Sequence, residues 1–313
     1  MKDIKDLENF LMQQQLYYGF RFSVVPIPVI HKLLEEKPQD ALAILSTKEQ
    51  SMFHSFINYK KKLEWLSGRT AAKKAILSLW GQNNPGIEEY KNCQLFYGKQ
   101  GEPYIPASPQ THISISHSQG IAIALASFSP IGIDLEKNFL PEKSLLRFFF
   151  APQEENQVLS LCGEEQKRQA ALLWTKKEAI AKLLKLGGSL FFQEICVLEN
   201  NVYVWNRSFS LISFSTEEYA ITLALEKKRM TYQEIYEKTR YLIQDYLRLE
   251  TEEILPKSHL MMDFNADSIA IVEIGFRIAE TFHIPIPPPQ DSLLIFENTV
   301  AYIQEELQKQ NTN

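Results

Sequence analysis

The feature that most limits what this chain can fold into is a change of texture at Glu226-Lys-Lys-Arg-Met. Before it, short apolar runs that alternate with period two are interleaved with helical periodicity. From Tyr232 onward only helical periodicity remains. Residues 94–97, 112–116, 121–127 and 131–135 read as strands half covered by helices, and 195–198, 202–205, 209–214 and 219–225 as a second set. Residues 20–29 read as a strand stopped by prolines. Ser46-x-x-Glu49 is a capping box opening a helix towards Phe56, and a second helix is predicted over 61–80. A Pro152-led helix and a strong one over 166–186, closed by Gly187-Gly188, follow. Two successive helix-plus-antiparallel-strand sets predict an α+β body of two similar lobes, residues 1–126 and 127–226. Amphipathic helices at about 232–249, 268–282 and 295–308 predict a small all-α helical bundle over 232–309.

Charge divides at the same place. From Thr231 onward there are 14 Asp and Glu against 6 Lys and Arg, whereas the first 230 residues carry 24 acidic against 27 basic. A weakly basic body joined to an acidic unit implies different partners for the two, and the acidic part lacks the basic footprint that nucleic acid demands. Cys93, Cys162 and Cys196 have no paired spacing for zinc or a disulfide framework, so they read as indifferent thiols in a reducing compartment. The alternating charge at the start gives no signal peptide, and no run reaches the ~20 apolar residues of a membrane helix. The expectation is a soluble, cytoplasmic protein with neither nucleic-acid nor membrane partners.

Four short motifs carry chemistry. In Gly132-Ile-Asp134-Leu-Glu136, residues two apart on a strand project to one face, so the two carboxylates converge and call for a cation between them. Hard oxygen ligands suit Mg²⁺ holding a substrate phosphate; alone, such a pair at a strand end is ordinary surface decoration. In Trp174-Thr-Lys-Lys-Glu178-Ala-Ile-Ala-Lys182, positions 174, 178 and 182 form one helix stripe. Glu178 offers a third oxygen ligand and Lys182 a charge for phosphate, against the bland reading of a surface Glu–Lys pair. Ser114-Ile-Ser116-His117-Ser118 runs from a strand into a loop with hydroxyls and an imidazole suited to phosphate oxygens. In Trp65-Leu-Ser-Gly68-Arg69-Thr-Ala-Ala-Lys73, Arg69 and Lys73 share a helix face as a cationic spot.

Together, in this order, the four motifs resemble the surfactin-type 4'-phosphopantetheinyl transferases, whose pattern is W-L-x-G-R-x-A-x-K, S-x-S-H-S, G-I-D-x-E and W-x-x-K-E-x-x-x-K. The resemblance spans roughly 20–225. It implies a pseudo-dimeric two-lobed fold with coenzyme A and Mg²⁺ in the cleft between lobes. Asp134, Glu136 and Glu178 would be the metal ligands. Lys182 would contact the transferring phosphate, and Ser116, His117, Arg69 and Lys73 would bind coenzyme A. Glu178, Lys182 and Asp134 would be catalytic. The sequence departs from the family at Gly101-Glu102-Pro103, where some relatives carry a basic residue between Gly and Pro. Lys99 is then a substitute, and Lys60 and Lys61 read as a solvated helix face rather than as the basic residues that relatives place ahead of Arg69.

Asp267-Ser268-Ile269 at a helix start, with acidic residues along the helix, resembles the attachment site of acyl and peptidyl carrier proteins. That resemblance covers about 232–309 and departs at Asn265, where glycine is common. A helix N-terminus favours an anion such as a phosphodiester, although Asp267 or Ser268 can equally be a plain N-cap. The combined resemblance implies transfer of phosphopantetheine to a carrier serine in cis or trans, Ser268 included, for downstream acyl synthases. The alternative is a non-catalytic recruitment protein that pairs a transferase-like cleft with an unmodified carrier-like domain. A general CoA-dependent acyltransferase would not call for three carboxylates at a metal.

Overall fold

The computed structural model describes residues 2–187, 191–205, 207–227, 230–250, 253–282 and 284–309. Gly188, and Lys228 and Arg229 of the connecting segment, lie outside the described residues. The chain divides into two compact units, Met1–Val204 with Ser208–Lys227, and Lys228–Asn313 with Trp205–Arg207.

The first unit opens with α1 (Lys2–Tyr18) and β1 (Arg21–Pro26), then α2 (Ile27–Glu36), α3 (Pro38–Ala43), α4 (Thr47–Ser55), α5 (Tyr59–Leu79) and α6 (Ile87–Asn92). A two-stranded ribbon, β2 (Phe96–Tyr97) and β3 (Pro103–Tyr104), leads to β4 (His112–Ser118) and β5 (Ile121–Ser127). There follow β6 (Ile131–Lys137), α7 (Lys143–Phe149), α8 (Pro152–Leu159), α9 (Gly163–Leu184), β7 (Asn201–Val204), β8 (Arg207–Ser215) and β9 (Tyr219–Glu226). The strands make sheets of order β1-β5-β4 and β6-β9-β8-β7. In both, the first strand pairs with the last and the last with the one before it. Helix α5 packs on the first sheet and α9 on the second. Each sheet and its helices enclose a core of their own, and Ile123, Leu125, Ile133, Leu135 and Ile221 join Leu7 and Leu11 of α1 in a third.

Two buried ion pairs repeat the same logic in the two halves. Glu49, third residue of α4, closes its capping box by accepting from Ser46 N–H and meets the Lys73 ammonium at 2.7 Å. Lys73 also donates to the carbonyls of Ile44 and Tyr90, which places all three of its protons. Glu154, third residue of α8, likewise accepts from Ala151 N–H and meets Lys177 at 2.8 Å. Lys177 then donates to the carbonyls of Phe192 and Ile195. Fully desolvated charges persist only when paired and hydrogen-bonded, and both clusters satisfy that condition.

The seam between the sheets explains the serine alternation. Ser114, Ser116 and Ser118 lie on one face of β4, and their hydroxyls accept the N–H groups of Ile133, Leu135 and Lys137 at 2.9, 3.1 and 3.0 Å. The free edge of β6 is thereby covered by side chains instead of a strand.

The second unit comprises α10 (Tyr232–Leu247), α11 (Leu260–Phe264), α12 (Ser268–Phe282) and α13 (Phe296–Lys309) around Ile235, Ile243, Ile274, Ile278, Phe296 and Ile303. Asn265 ends α11 at φ 52°, a left-handed position that asparagine adopts more readily than most residues.

Two sequence expectations are corrected. The strand over 20–29 ends at Pro26, because Pro28 in the first turn starts α2 instead of prolonging an extended segment. Residues 195–198 form no strand. Their polar groups go to side chains: Val197 N–H to Glu154, the Ile195 carbonyl to Lys177, and those of Val197 and Leu198 to Lys176.

Candidate active site

Gly132 decides how the site is assembled. A Cβ there would stand 2.0 Å from the carbonyl oxygen of Ala179 and 2.9 Å from Leu183 N. Its absence lets α9 lie directly on β6, which carries Glu178 and Lys182 to Asp134. Lys182 Nζ lies 2.6 Å from Asp134 Oδ1, which also accepts the Ser116 hydroxyl at 2.8 Å. Asp134 is buried, and its Oδ2 has no hydrogen-bond partner. Glu136 accepts from Ser118 Oγ at 2.8 Å.

The carboxylates feel one another. Burial, and then the charge of Asp134, raise the Glu136 carboxyl above its ordinary range. The same two causes in the same order push Glu178 up to about 7, with Lys182 opposing and Glu136 adding to the rise. Lys182 thus offsets the charge of all three. Among the described residues, no group of three His, Cys, Asp or Glu side chains is arranged to hold a metal ion as it stands. The donor chemistry nevertheless suits a hard cation: a buried, unpartnered Asp134 oxygen beside two carboxyls whose ionisation is suppressed by enclosure and like charge.

Glu178 and Lys182 open onto a cleft of about 650 Å³, whose walls also include Trp65, Arg69, Tyr97 and His117. Arg69 is 1% exposed, and its guanidinium lies between the rings of Trp65 and Tyr97 at 4.8 and 5.0 Å. Glu49 approaches it at 3.4 Å, yet none of its nitrogens has a hydrogen-bond partner. Buried donors aimed at a cleft in that state suit an anion. The His117 imidazole is held below its ordinary proton affinity, first by enclosure, with Glu64 opposing and Lys182 reinforcing.

Of the residues singled out from sequence, Arg69, His117, Glu178 and Lys182 share the cleft, and Asp134 joins them through Lys182. Lys73 does not. It is 0% exposed and held by Glu49 and two carbonyls, so a contact with coenzyme A is replaced by a structural role. Ser116 is also buried, its hydroxyl divided between Asp134 and Leu135 N–H, which leaves it positioning a carboxylate instead of facing phosphate. Lys60 and Lys61 stay exposed, as a solvated face requires, and also border the cleft, whereas Lys99 does not. Glu102 accepts Gln100 N–H within the β2–β3 turn. Sequence reasoning missed Tyr97 and the packing role of Gly132. A lone glycine inside a strand pattern is itself a sign of close backbone approach, so the second had a signal.

These features define a cleft walled by cationic side chains beside buried and half-buried carboxyls, and comparison with known proteins gives the chain a family. The sequence model of the 4'-phosphopantetheinyl transferase superfamily matches residues 130–232. The holo-[acyl-carrier-protein] synthase of Staphylococcus haemolyticus is 32% identical over 112 residues, which cover 35% of this chain and 93% of that protein. The chain belongs to the 4'-phosphopantetheinyl transferase superfamily. A 4'-phosphopantetheinyl transferase of Bacillus subtilis is 28% identical over 151 residues, 48% of this chain and 64% of the relative, so the match spans just under two thirds of that protein's length. Among solved structures, the holo-(acyl-carrier-protein) synthase of Bacillus anthracis in complex with CoA (3',5'-ADP) superposes with a TM-score of 0.31 at 24% identity, over 34% of this chain and 91% of that one.

Proposed function

We propose that the first unit is a surfactin-type, pseudo-dimeric transferase that moves 4'-phosphopantetheine from coenzyme A to a carrier-protein serine and releases 3',5'-ADP. The observation that carries this reading is the junction at Gly132, where Glu178 and Lys182, on the wall of a cleft shared with Arg69 and His117, are brought against Asp134 and Glu136 of β6. The repeated strand order and the paired Glu–Lys clusters support the pseudo-dimeric part of it.

Asp134, Glu136 and Glu178 would hold Mg²⁺, which in such reactions neutralises charge on pyrophosphate oxygens. The chain's own groups do the rest. Arg69, with donors unspent between two aromatic faces, and His117 would take phosphates of the nucleotide half of coenzyme A. The carrier serine oxygen bonds to the β-phosphorus, the bond from that phosphorus to the bridging oxygen breaks, and 3',5'-ADP departs with the electron pair. Glu178, on the cleft wall, accepts the serine proton, and Lys182 meets the charge gathering on the transferred phosphoryl group.

The second unit reads as a carrier-like substrate modified at Ser268. Asp267 accepts Ala270 N–H at 2.7 Å and so serves as the cap of α12, which leaves the Ser268 hydroxyl exposed at the first helical position. Cys93, Cys162 and Cys196, without paired spacing, suit a reducing compartment, and in this reading the protein works in the cytoplasm. Among the described residues, no helix is long and apolar enough to cross a membrane.

The test is release of 3',5'-ADP from coenzyme A with a separate apo-carrier protein and Mg²⁺. The unsubstituted chain should turn over, and Asp134→Ala should abolish turnover at saturating Mg²⁺. Near-normal turnover of that variant would remove Asp134 from the centre.

A further inference from the structure

Helix α9 ends, as α10 does at Arg248, on a basic residue in the left-handed region. Its last turn closes with Lys185 N–H bonded to the carbonyls of Ala181 and Lys182, and Leu186 N–H returns to Ala181 at 3.0 Å. The residue that makes this reversal is Lys185, at φ 57° and ψ 39°. Helices that stop this way place glycine there as a rule, because a Cβ crowds the backbone in the left-handed region. A lysine at that position is a standing conformational cost that backbone geometry does not require, since Gly187 with its own positive φ lies two residues on.

The side chain gives the cost a purpose. Lys185 is exposed on the cleft wall just past the end of α9, seven residues beyond Glu178 and three beyond Lys182. Lys182 is committed to Asp134 and Lys60 approaches Glu64 at 3.8 Å, whereas Lys185 has no acidic partner among the described residues. Its charge is nonetheless felt across the cleft wall: after burial, it is what lowers the proton affinity of His112 on β4. At 1.5 Å per residue, seven residues put Lys185 roughly 10 Å along the helix from Glu178, too far for the phosphorus under attack but within the span of a nucleotide.

We infer that Lys185 is a specificity-determining residue of the cleft, kept at a left-handed position so that its ammonium meets a phosphoryl group on the nucleotide half of coenzyme A. This rests on the transferase reading above. It adds a binding residue that lies outside all four sequence motifs.

The experiment is calorimetric titration of the full chain with 3',5'-ADP, coenzyme A and dephospho-coenzyme A, alongside thermal melts. Lys185→Gly and Lys185→Asn should melt at or above the temperature of the parent, because both residues enter the left-handed region more easily. Both should bind 3',5'-ADP about three- to tenfold more weakly, the loss expected for one charge-assisted contact, and Lys185→Arg should bind like the parent. Loss confined to coenzyme A, with dephospho-coenzyme A unaffected, assigns the contact to the 3'-phosphate; equal loss for both assigns it to the pyrophosphate. Undiminished affinity in the stable Gly and Asn variants overturns the inference alone. No binding of any of the three nucleotides by the unsubstituted chain overturns the transferase reading and this inference with it.

Discussion

Glu178 is where burial and like charge act most strongly on one side chain. Its carboxyl moves from 4.5 to about 7 through desolvation and the nearby charge of Asp134, and Glu136 shifts the same way. A carboxyl whose folded-state affinity for the proton exceeds its unfolded one takes up a proton on folding. Its contribution to stability is therefore fully present below pH 4.5 and is lost as pH rises through about 7. Chelator-treated protein should accordingly lose stability between about pH 5 and pH 8, by on the order of 2 kcal/mol after allowance for partial solvation. Melting curves across that range should show the decline, Glu178→Gln should flatten it, and added Mg²⁺ should oppose it at the alkaline end. A flat profile in chelated parent protein would show that these carboxyls do not repel. Lys73 makes the converse point at the same scale. From sequence it shares a helix face with Arg69 and reads as a second cleft cation. Its fate depends on Glu49, twenty-four residues earlier, and on two carbonyls that only the fold brings to it. Helical spacing reports which residues share a face, not which of them lies under a neighbouring helix.

At the scale of elements, packing of α9 on β6 sets the distance between the carboxylates, and one missing methyl group permits it. Gly132→Ala would drive a Cβ into the backbone carbonyl of Ala179. Truncating side chains on α9 cannot relieve a backbone clash, so the helix must move. A displacement of about 1 Å at a reacting centre costs about a hundredfold in rate, so release of 3',5'-ADP should fall by at least that much in protein that circular dichroism finds folded. Gly68→Ala provides the contrast, because its Cβ would meet only the Ile115 side chain, at 3.1 Å. That methyl can yield, and activity should drop far less; equal losses in the two variants would refute the account of Gly132. Elements with strong periodicity were legible beforehand: β4, β5, β6, α5 and α9 fall where alternation and helical spacing place them. Those that failed did so for nameable reasons. Pro26 and Pro28 look like breakers but stand at the start of α2, where a fixed φ helps. Residues 195–198 have the apolar character of a strand, yet Glu154, Lys176 and Lys177 take the backbone groups a neighbouring strand would need. The seam of Ser114, Ser116 and Ser118 was visible as a motif but not as a seam, because its partners are the backbone N–H groups of another strand.

For the whole molecule, the open matter is how a carrier-like serine and a transferase cleft on one chain would meet. Strand β9 ends at Glu226 and α10 begins at Tyr232, so the connection is a handful of residues with an extended reach of roughly 20 Å. A short tether limits how far a serine can reach towards a cleft on its own chain, and effective concentration there collapses if the tether cannot span the distance. A neighbouring molecule has no such constraint, and opposite charge balance assists the encounter, with 14 acidic against 6 basic residues from Thr231 onward and 24 against 27 before it. Modification of Ser268 should therefore be bimolecular. With coenzyme A and Mg²⁺ in excess, intact mass spectrometry should register one added phosphopantetheinyl group, absent in Ser268→Ala. The fraction modified per unit time should rise in proportion to protein concentration over a hundredfold dilution series and fall with added salt. Mixing Asp134→Ala, which retains its serine, with Ser268→Ala, which retains its cleft, should restore modification of the former. A rate independent of dilution, together with failure of that mixture, would place the reaction within one chain and require the short connection to deliver Ser268 to its own cleft.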